Sequence, residues 1–251
     1  MKRILIIALV AIAPIWASAN EAPAAGGHAF EANPSNTASL QRGAKWYVNY
    51  CSGCHSMQYV RYQSLIDALG VSEEQVERNL MFAADAAHEV MRAAMPADRS
   101  ERWFGRTPPD LSLIARARGA SYLYAYLTGF YLDDTRTMGV NNLALPGASM
   151  PHALWELEGF KRAVFRTDEV VAEDGTVALR EVFDHFEPVT HGDMSDEEFH
   201  QAVGDVVNFL VWAGEPMQLE RQRLGVYVIL FLLVFLLLAV LLKKEYWRDV
   251  H

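Results

Sequence analysis

Apolar side chains repeat at helical spacing in the segment that begins at residue 40. Gaps of four, three, four and three positions keep them on one face of an α-helix. The residues at these positions are Leu40, Ala44, Tyr47, Cys51 and Cys54. The pattern predicts an amphipathic helix over residues 40–50, and its buried face continues into two cysteines.

Three more segments carry helical patterns. Residues 72–95 mix acidic and apolar side chains and predict a helix with an acidic face, while residues 121–128 predict a short aromatic helix. Ser195 and Glu198 form a capping box ahead of an apolar period that stops at Gly214. This combination predicts a well-defined last helix before the C-terminal segment.

Proline, glycine and asparagine mark the stretches between these helices. Residues 96–106 and 131–150 have no clear period and are predicted as loops, whereas residues 170–186 predict a hairpin. Paired prolines before Asp110 predict an extended entry to the next helix, which Asp110 is placed to cap. We therefore expect a mainly α fold with extended loops and a small hairpin.

Both ends of the chain carry membrane signals. Lys2 and Arg3 precede a short apolar run and an Ala-x-Ala site, which predict a signal peptide over residues 1–19. An uncleaved N-terminal anchor is the alternative. Residues 224–242 lack charged side chains. At roughly 1.5 Å per residue they would span about 28 Å, which predicts one C-terminal transmembrane helix.

These two segments divide the chain into a domain and a tail. Residues 20–223 are long enough for one domain with a sizeable core and are expected in the periplasm, and residues 243–251 in the cytoplasm. The 251 residues carry a formal net charge of −9. This charge argues against nucleic acid as a partner and would attract a basic protein, although it also serves ordinary solubility.

The only two cysteines of the sequence stand in the motif Cys51-Ser52-Gly53-Cys54-His55. C-x-x-C-H is a c-type haem attachment signal, in which two thiols bind the vinyl groups of one porphyrin and the histidine coordinates the iron. A thioredoxin-like dithiol or a plain disulfide is the alternative. The helical rather than strand-like segment ahead of the motif favours one covalently bound haem c.

A histidine on one side of the iron leaves the opposite position to be filled or left open. Met150 stands between Pro146 and Pro151, in a segment whose stiffness suits a thioether ligand. His152 competes with it, and an open site is the third possibility. Met57 is too close to His55, and Met217 approaches the membrane segment. Three others, Met81, Met91 and Met95, lie on or next to a helical pattern, and Met194 precedes the capping box.

Several short motifs follow C-x-x-C-H in a fixed order. They are P-P-D-L-S-L at 108–113, R-A-R at 116–118, Y-L-T-G at 126–129, Met150-Pro151 and W-A-G-E-P at 212–216. Together with the terminal membrane segment they cover nearly the whole mature chain. Their order resembles the cytochrome c1 family in its bacterial form, the haem subunit of the cytochrome bc1 complex.

The resemblance implies roles for individual residues. Cys51 and Cys54 would bind the haem covalently, and His55 and Met150 would be its axial ligands. The carbonyl of Pro109 would orient the His55 ring. Two further residues would lie beside the haem: Arg118, which would pair with a propionate, and Tyr122.

The resemblance also implies a function and a set of partners. The chain would carry single electrons from the Rieske iron–sulfur protein to a cytochrome c, within a dimeric complex that also contains cytochrome b. It would hold no catalytic residue of its own and would lie in the bacterial inner membrane with its haem domain in the periplasm. The competing functions are a membrane-anchored cytochrome that serves a terminal oxidase and a periplasmic thiol–disulfide oxidoreductase.

Overall fold

The computed structural model describes residues 29–171 and 177–249. Nine helices occur within these residues: α1 Thr37–Trp46, α2 Tyr62–Leu69, α3 Glu73–Asn79, α4 Ala97–Phe104, α5 Ile114–Arg118, α6 Ala120–Thr128, α7 Trp155–Glu158, α8 Asp196–Gly214 and α9 Gln218–Tyr246. A π-helical turn, Tyr47–Cys51, follows α1 directly. The fold is mainly α, as the sequence predicts.

The strands form three separate antiparallel pairs in the described part of the chain. They are β1 Met57–Arg61 with β2 Val90–Met91, β3 Phe130–Leu132 with β4 Val140–Asn142, and β5 Lys161–Val171 with β6 Val177–Pro188. The last pair is the predicted hairpin, and it is longer at both ends than the pattern 170–186 suggests. An irregularity in register between Val164 and Phe165 interrupts its pairing.

The core of the domain lies where α1 packs across α8. Leu40 and Ala44 are buried on the facing side of α1, as the apolar spacing predicts. The ring of Tyr47, just beyond α1, lies 5.6 Å from that of Phe209 on α8. Gly43 allows the close approach, because a Cβ at this position would lie only 2.1 Å from the carbonyl oxygen of Asp205.

A buried carboxylate fixes the same crossing. Asp205 of α8 accepts hydrogen bonds at 2.6 and 2.9 Å from the guanidinium of Arg42 and at 2.6 Å from the hydroxyl of Ser39, both on α1. The amide of Asn208 donates to the same hydroxyl at 2.8 Å. Since burying a carboxylate is costly unless it is paired, this network resists any sliding of α1 on α8.

Two secondary-structure predictions are wrong for the region between the C-x-x-C-H motif and residue 106. The helix predicted over residues 72–95 stops at Asn79, and the chain then turns and enters β2. Met91 pairs with Met57 of β1, so tertiary pairing overrides the local helical pattern. The loop predicted over residues 96–106 instead contains α4, which Pro96 precedes and Gly105, with a φ of 73°, terminates.

The other predicted helices are present. The helix before the motif, α6 and α8 all form, and α8 begins with the predicted capping box between Ser195 and Glu198. The segment 131–150 is less regular than the helices, but it includes β4 and most of β3 rather than forming one continuous loop.

The C-terminal helix α9 contains the predicted span 224–242. It is long enough and apolar enough to cross a membrane, with a mean hydropathy of 3.2 in its most apolar window, and its side chains are exposed in the isolated chain. The predicted signal peptide, residues 1–19, lies outside the described residues.

Gly43→Ala is expected to reduce the free energy of unfolding by about 1–3 kcal/mol, because the new methyl group would overpack the α1–α8 crossing. Gly225→Ala on α9 is the matched control, since nothing lies within 4 Å of its Cβ position. Thermal unfolding of the detergent-solubilised chain measures both. Equal midpoints for Gly43→Ala and the wild type would contradict the close packing.

Candidate functional site

A cavity of about 280 Å³ opens between the end of α1, the P-P-D loop, α6 and the segment around Met150. Its walls are mainly apolar. All seven residues predicted for the site line this one cavity: Cys51, Cys54, His55, Pro109, Arg118, Tyr122 and Met150. The fold thus brings together residues that are far apart in the sequence.

The π-helical turn presents the C-x-x-C-H motif to the cavity. After it the chain closes a tight turn, in which the amides of Cys54 and His55 donate to the carbonyl of Cys51 at 3.1 and 2.9 Å. The buried hydroxyl of Tyr47 donates to the carbonyl of His55 at 2.8 Å. The position of the motif therefore depends on the same ring that packs against α8.

The ring of His55 is held by one backbone carbonyl. Its Nδ1 lies 2.7 Å from the oxygen of Pro109, and because a carbonyl can only accept, Nδ1 carries the proton. Burial lowers the pKa of His55, while the hydrogen bond to Pro109 opposes that shift. A neutral ring in this tautomer leaves the lone pair of Nε2 available to bind a metal.

The P-P-D loop is tied to the motif by a carboxylate. Asp110 accepts from the amide of Gln58 at 2.8 Å and from the amide of Ser112 at 2.9 Å. It does not cap the following helix, as the sequence pattern suggested, because α5 begins only at Ile114 and its N-cap is Leu113. Asp110 instead joins the Pro109 carbonyl to the strand that follows His55.

Both cysteines are free thiols in an apolar setting. Burial, with a smaller contribution from the neighbouring Cys54, raises the pKa of Cys51 to about 12, and burial also raises the pKa of Cys54. A dithiol oxidoreductase needs a thiolate with a lowered pKa. The environment of these two thiols therefore does not favour that alternative.

Met150 and His152, the two candidates for the second axial ligand, differ in their position relative to the cavity. Met150 lines the cavity together with His55, whereas His152 is not part of the lining. The His152 ring is buried and stacks on Phe130 at 5.2 Å, and its Nε2 lies 3.0 Å from a carboxylate oxygen of Glu158. The geometry favours Met150 over His152.

Arg118 and Tyr122 lie on either side of the junction between α5 and α6. The guanidinium carbon of Arg118 is 5.5 Å from the centre of the Tyr122 ring, and both side chains line the cavity. Tyr126 and Arg106 also line the cavity and were not assigned to the site by the sequence analysis. Tyr126 follows Tyr122 by one helical turn, and burial raises the pKa of Tyr126 to about 12. Arg106 lies just before the paired prolines. The helical spacing from Tyr122 could have indicated Tyr126.

A mainly helical domain with a C-x-x-C-H motif on an apolar cavity, and with histidine and methionine on its walls, is typical of c-type cytochromes. The comparison with known families makes this more specific. Residues 32–250 match the family model described as the cytochrome C1 family, and the chain belongs to that family. Its members are haem subunits of cytochrome bc1 complexes and take part in electron transport.

Relatives support the assignment along the full chain. The chain is 43% identical over 253 residues to "Cytochrome c1" of Allochromatium vinosum, covering 100% of both chains. It is 43% identical over 213 residues to a protein of Nitrosomonas europaea named "Ammonia monooxygenase gamma subunit", covering 85% of this chain and 84% of the relative. It is 28% identical over 247 residues to "Cytochrome b/c1" of Bradyrhizobium diazoefficiens, covering 85% of this chain and 33% of that longer protein.

Asp110→Ala is expected to reduce the free energy of unfolding by about 1–2 kcal/mol, because two backbone amides would lose their acceptor. Asp67→Ala is the control, an exposed carboxylate on α2, and should change it by less than about 0.5 kcal/mol. Denaturant titration of the full chain measures both. Equal stability of the two variants would show that Asp110 does not support the loop.

Proposed function

We propose that this chain is the membrane-anchored haem subunit of a bacterial cytochrome bc1 complex and carries single electrons from the Rieske protein to a cytochrome c. The observation that carries the proposal is the convergence of Cys51, Cys54, His55 and Met150 on one apolar cavity. Family membership supplies the complex in which such a site operates.

The residues of the cavity fit one covalently bound haem c. Cys51 and Cys54 offer the two thiols, His55 offers Nε2 because Nδ1 is engaged by Pro109, and Met150 offers a thioether. When bound, the haem iron supplies a one-electron couple between its ferric and ferrous forms.

The chain's own residues would tune and protect this couple. Hydrogen bonding from Nδ1 to Pro109 makes His55 a better donor and fixes its ring plane. A methionine thioether favours the ferrous state and so gives a high potential. The apolar walls exclude water, and Arg118 would pair with a propionate, with Tyr122 beside it. No bond is made or broken by these groups, so we assign no catalytic residue to the chain.

The proposed partners follow from the family and from charge. Members belong to complexes with cytochrome b and Rieske subunits. The Bradyrhizobium relative, named "Cytochrome b/c1", is a longer protein of which this chain covers 33%. Its name supports a cytochrome b as the neighbour of this chain. The net charge of −9 supports a basic cytochrome c as acceptor. We propose a dimeric complex by the same family resemblance.

The proposed topology places the haem domain, residues 20–223, in the periplasm. Residues 224–242 would cross the bacterial inner membrane, and residues 243–251 would lie in the cytoplasm. The length and composition of α9 support the span. Basic residues flank it on both sides, so the direction depends on the predicted signal peptide over residues 1–19.

Met150→Leu should keep the haem covalently attached but lower its potential by on the order of 0.2 V, a fraction of the roughly 0.8 V that axial ligation spans. The physical reason is loss of the thioether that favours ferrous iron. Redox titration of the wild type, Met150→Leu and His152→Ala measures this. An unchanged potential in Met150→Leu together with a shifted one in His152→Ala would assign the ligand to His152.

A tagged full-length chain, solubilised from membranes in mild detergent, is expected to bring cytochrome b and a Rieske protein with it. The same chain ending at Arg223 should be recovered without detergent, with haem and without either partner, because α9 would be missing. Mass spectrometry and a haem-stained denaturing gel identify the bands. Recovery of a terminal oxidase instead of cytochrome b would support the competing cytochrome function.

A further inference from the structure

Two adjacent buried asparagines end the β3–β4 pair, just before the chain segment that leads to Met150. Asn141 and Asn142 stand at the end of β4, eight or nine positions before Met150, and are only 5% and 0% exposed. An amide side chain has two acceptor sites and two donors, so complete burial requires several partners. The partners of both amides lie largely in the segment that leads to Met150.

Asn142 holds the first part of that segment. Its Oδ1 accepts from the backbone amides of Ala144 at 2.9 Å and Leu145 at 3.1 Å. Its Nδ2 donates to the carbonyl of Tyr126 at 2.7 Å. Since Leu145 and Tyr126 both line the cavity, this one side chain links two of its walls.

Asn141 holds the second part. Its Oδ1 accepts from the amide of Gly147 at 2.8 Å and from the amide of Asn142 at 2.9 Å. Its Nδ2 donates to a carboxylate oxygen of Asp133 at 2.9 Å. The turn at Gly147, three positions before Met150, is therefore attached to the β3–β4 pair.

The packing around the pair leaves little room for other side chains. A Cβ at Gly129 would lie 3.4 Å from Oδ1 of Asn142 and 2.5 Å from the carbonyl of Ala125. Two backbone bonds add support to the segment: Leu143 donates to the carbonyl of Gly129, just before β3, and Ala148 donates to that of Leu145. Without the two amides, the backbone donors of residues 144, 145 and 147 would need new partners, and the segment could move away from the cavity.

We infer that Asn141 and Asn142 are positioning residues that hold the Met150 thioether on the wall of the cavity where it can bind haem iron. This inference rests on the proposed function and goes beyond it, because it assigns the ligand's placement to two side chains that do not themselves line the cavity. Each hydrogen bond lost should shift the balance from ligated toward displaced methionine by roughly fivefold.

The test uses the full-length chain, matured with haem and solubilised in detergent. The variants are Asn142→Ala, Asn141→Ala, Asn142→Asp and Met150→Leu. Asn208→Ala is the matched control, because Asn208 is also a buried amide, accepting from the amide of Asn33 and donating to Ser39, but its hydrogen bonds do not reach the segment that leads to Met150. The readouts are the methionine-to-ferric-iron charge-transfer band, the potential, and binding of added imidazole.

Asn142→Ala and Asn141→Ala are expected to weaken the band, lower the potential toward that of Met150→Leu and bind imidazole more tightly. Asn142→Asp keeps the acceptor for Ala144 and Leu145 but places a buried carboxyl oxygen against the carbonyl of Tyr126, so it should also weaken the band. Asn208→Ala removes one donor from the α1–α8 crossing but leaves Asp205 bonded to Arg42 and Ser39, so it should lower the unfolding midpoint and leave all three readouts unchanged. If Asn142→Ala fails to accumulate, Asn142→Asp and Asn141→Ala decide by the same criteria.

The outcomes separate this inference from the proposed function. If both alanine variants kept the wild-type band and potential while Met150→Leu lost the band and had a lower potential, the inference would be overturned. The haem assignment would then remain intact. An unchanged band in Met150→Leu would overturn the ligand assignment itself, and the inference with it. An equal loss of the band in Asn208→Ala would show general destabilisation and would also overturn it.

Discussion

The close crossing of α1 and α8 is the constraint on which the rest of the domain depends. Gly43 permits it, and the buried carboxylate of Asp205 secures it through Arg42 and Ser39. The haem motif follows α1 without a flexible linker, because the π-helical turn continues the helix into Cys51. Fixing α1 on α8 therefore fixes the thiols and His55 relative to Val206 and Leu210, which form the α8 wall of the cavity.

The two proposed axial ligands are supported in different ways. The imidazole of His55 is oriented by one direct hydrogen bond to the Pro109 carbonyl. A thioether accepts only weak hydrogen bonds, so the position of Met150 must be set through its backbone. Asn141 and Asn142 act before it in the chain. After it, the buried His152 ring stacks on Phe130, and its Nε2 lies 3.0 Å from a carboxylate oxygen of Glu158. Glu158 also contacts Lys161, which donates to the carbonyl of Thr128 at 2.7 Å.

The sequence predicts the parts of this protein that depend on local pattern or on chemistry. The helix over residues 40–50 follows from apolar spacing, and the cysteines and histidine of the C-x-x-C-H motif follow from the chemistry of haem attachment. Pro109, Arg118 and Tyr122 are predicted only through the resemblance to the cytochrome c1 family. The segment 72–95 could not be predicted in the same way, because β2 forms by pairing with β1, which lies 29 to 34 positions earlier. The role of Asn142 in β4 depends on a contact with Tyr126 in helix α6, which no local pattern contains.

The junction between the domain and α9 is held weakly, and this suits a subunit that must fit its neighbours. Glu215 forms ion pairs with Arg116 at 3.7 Å and Arg221 at 2.5 Å, but both arginines are largely exposed. Exposed pairs contribute about 0–1 kcal/mol, too little to fix the direction of a long helix. The side chains of α9 are exposed in the isolated chain, and in lipid a helix gains specificity through packing against other helices. The direction of α9 relative to the cavity would then be set by what packs against α9, while the residues that line the cavity all precede α9 in the described part of the chain.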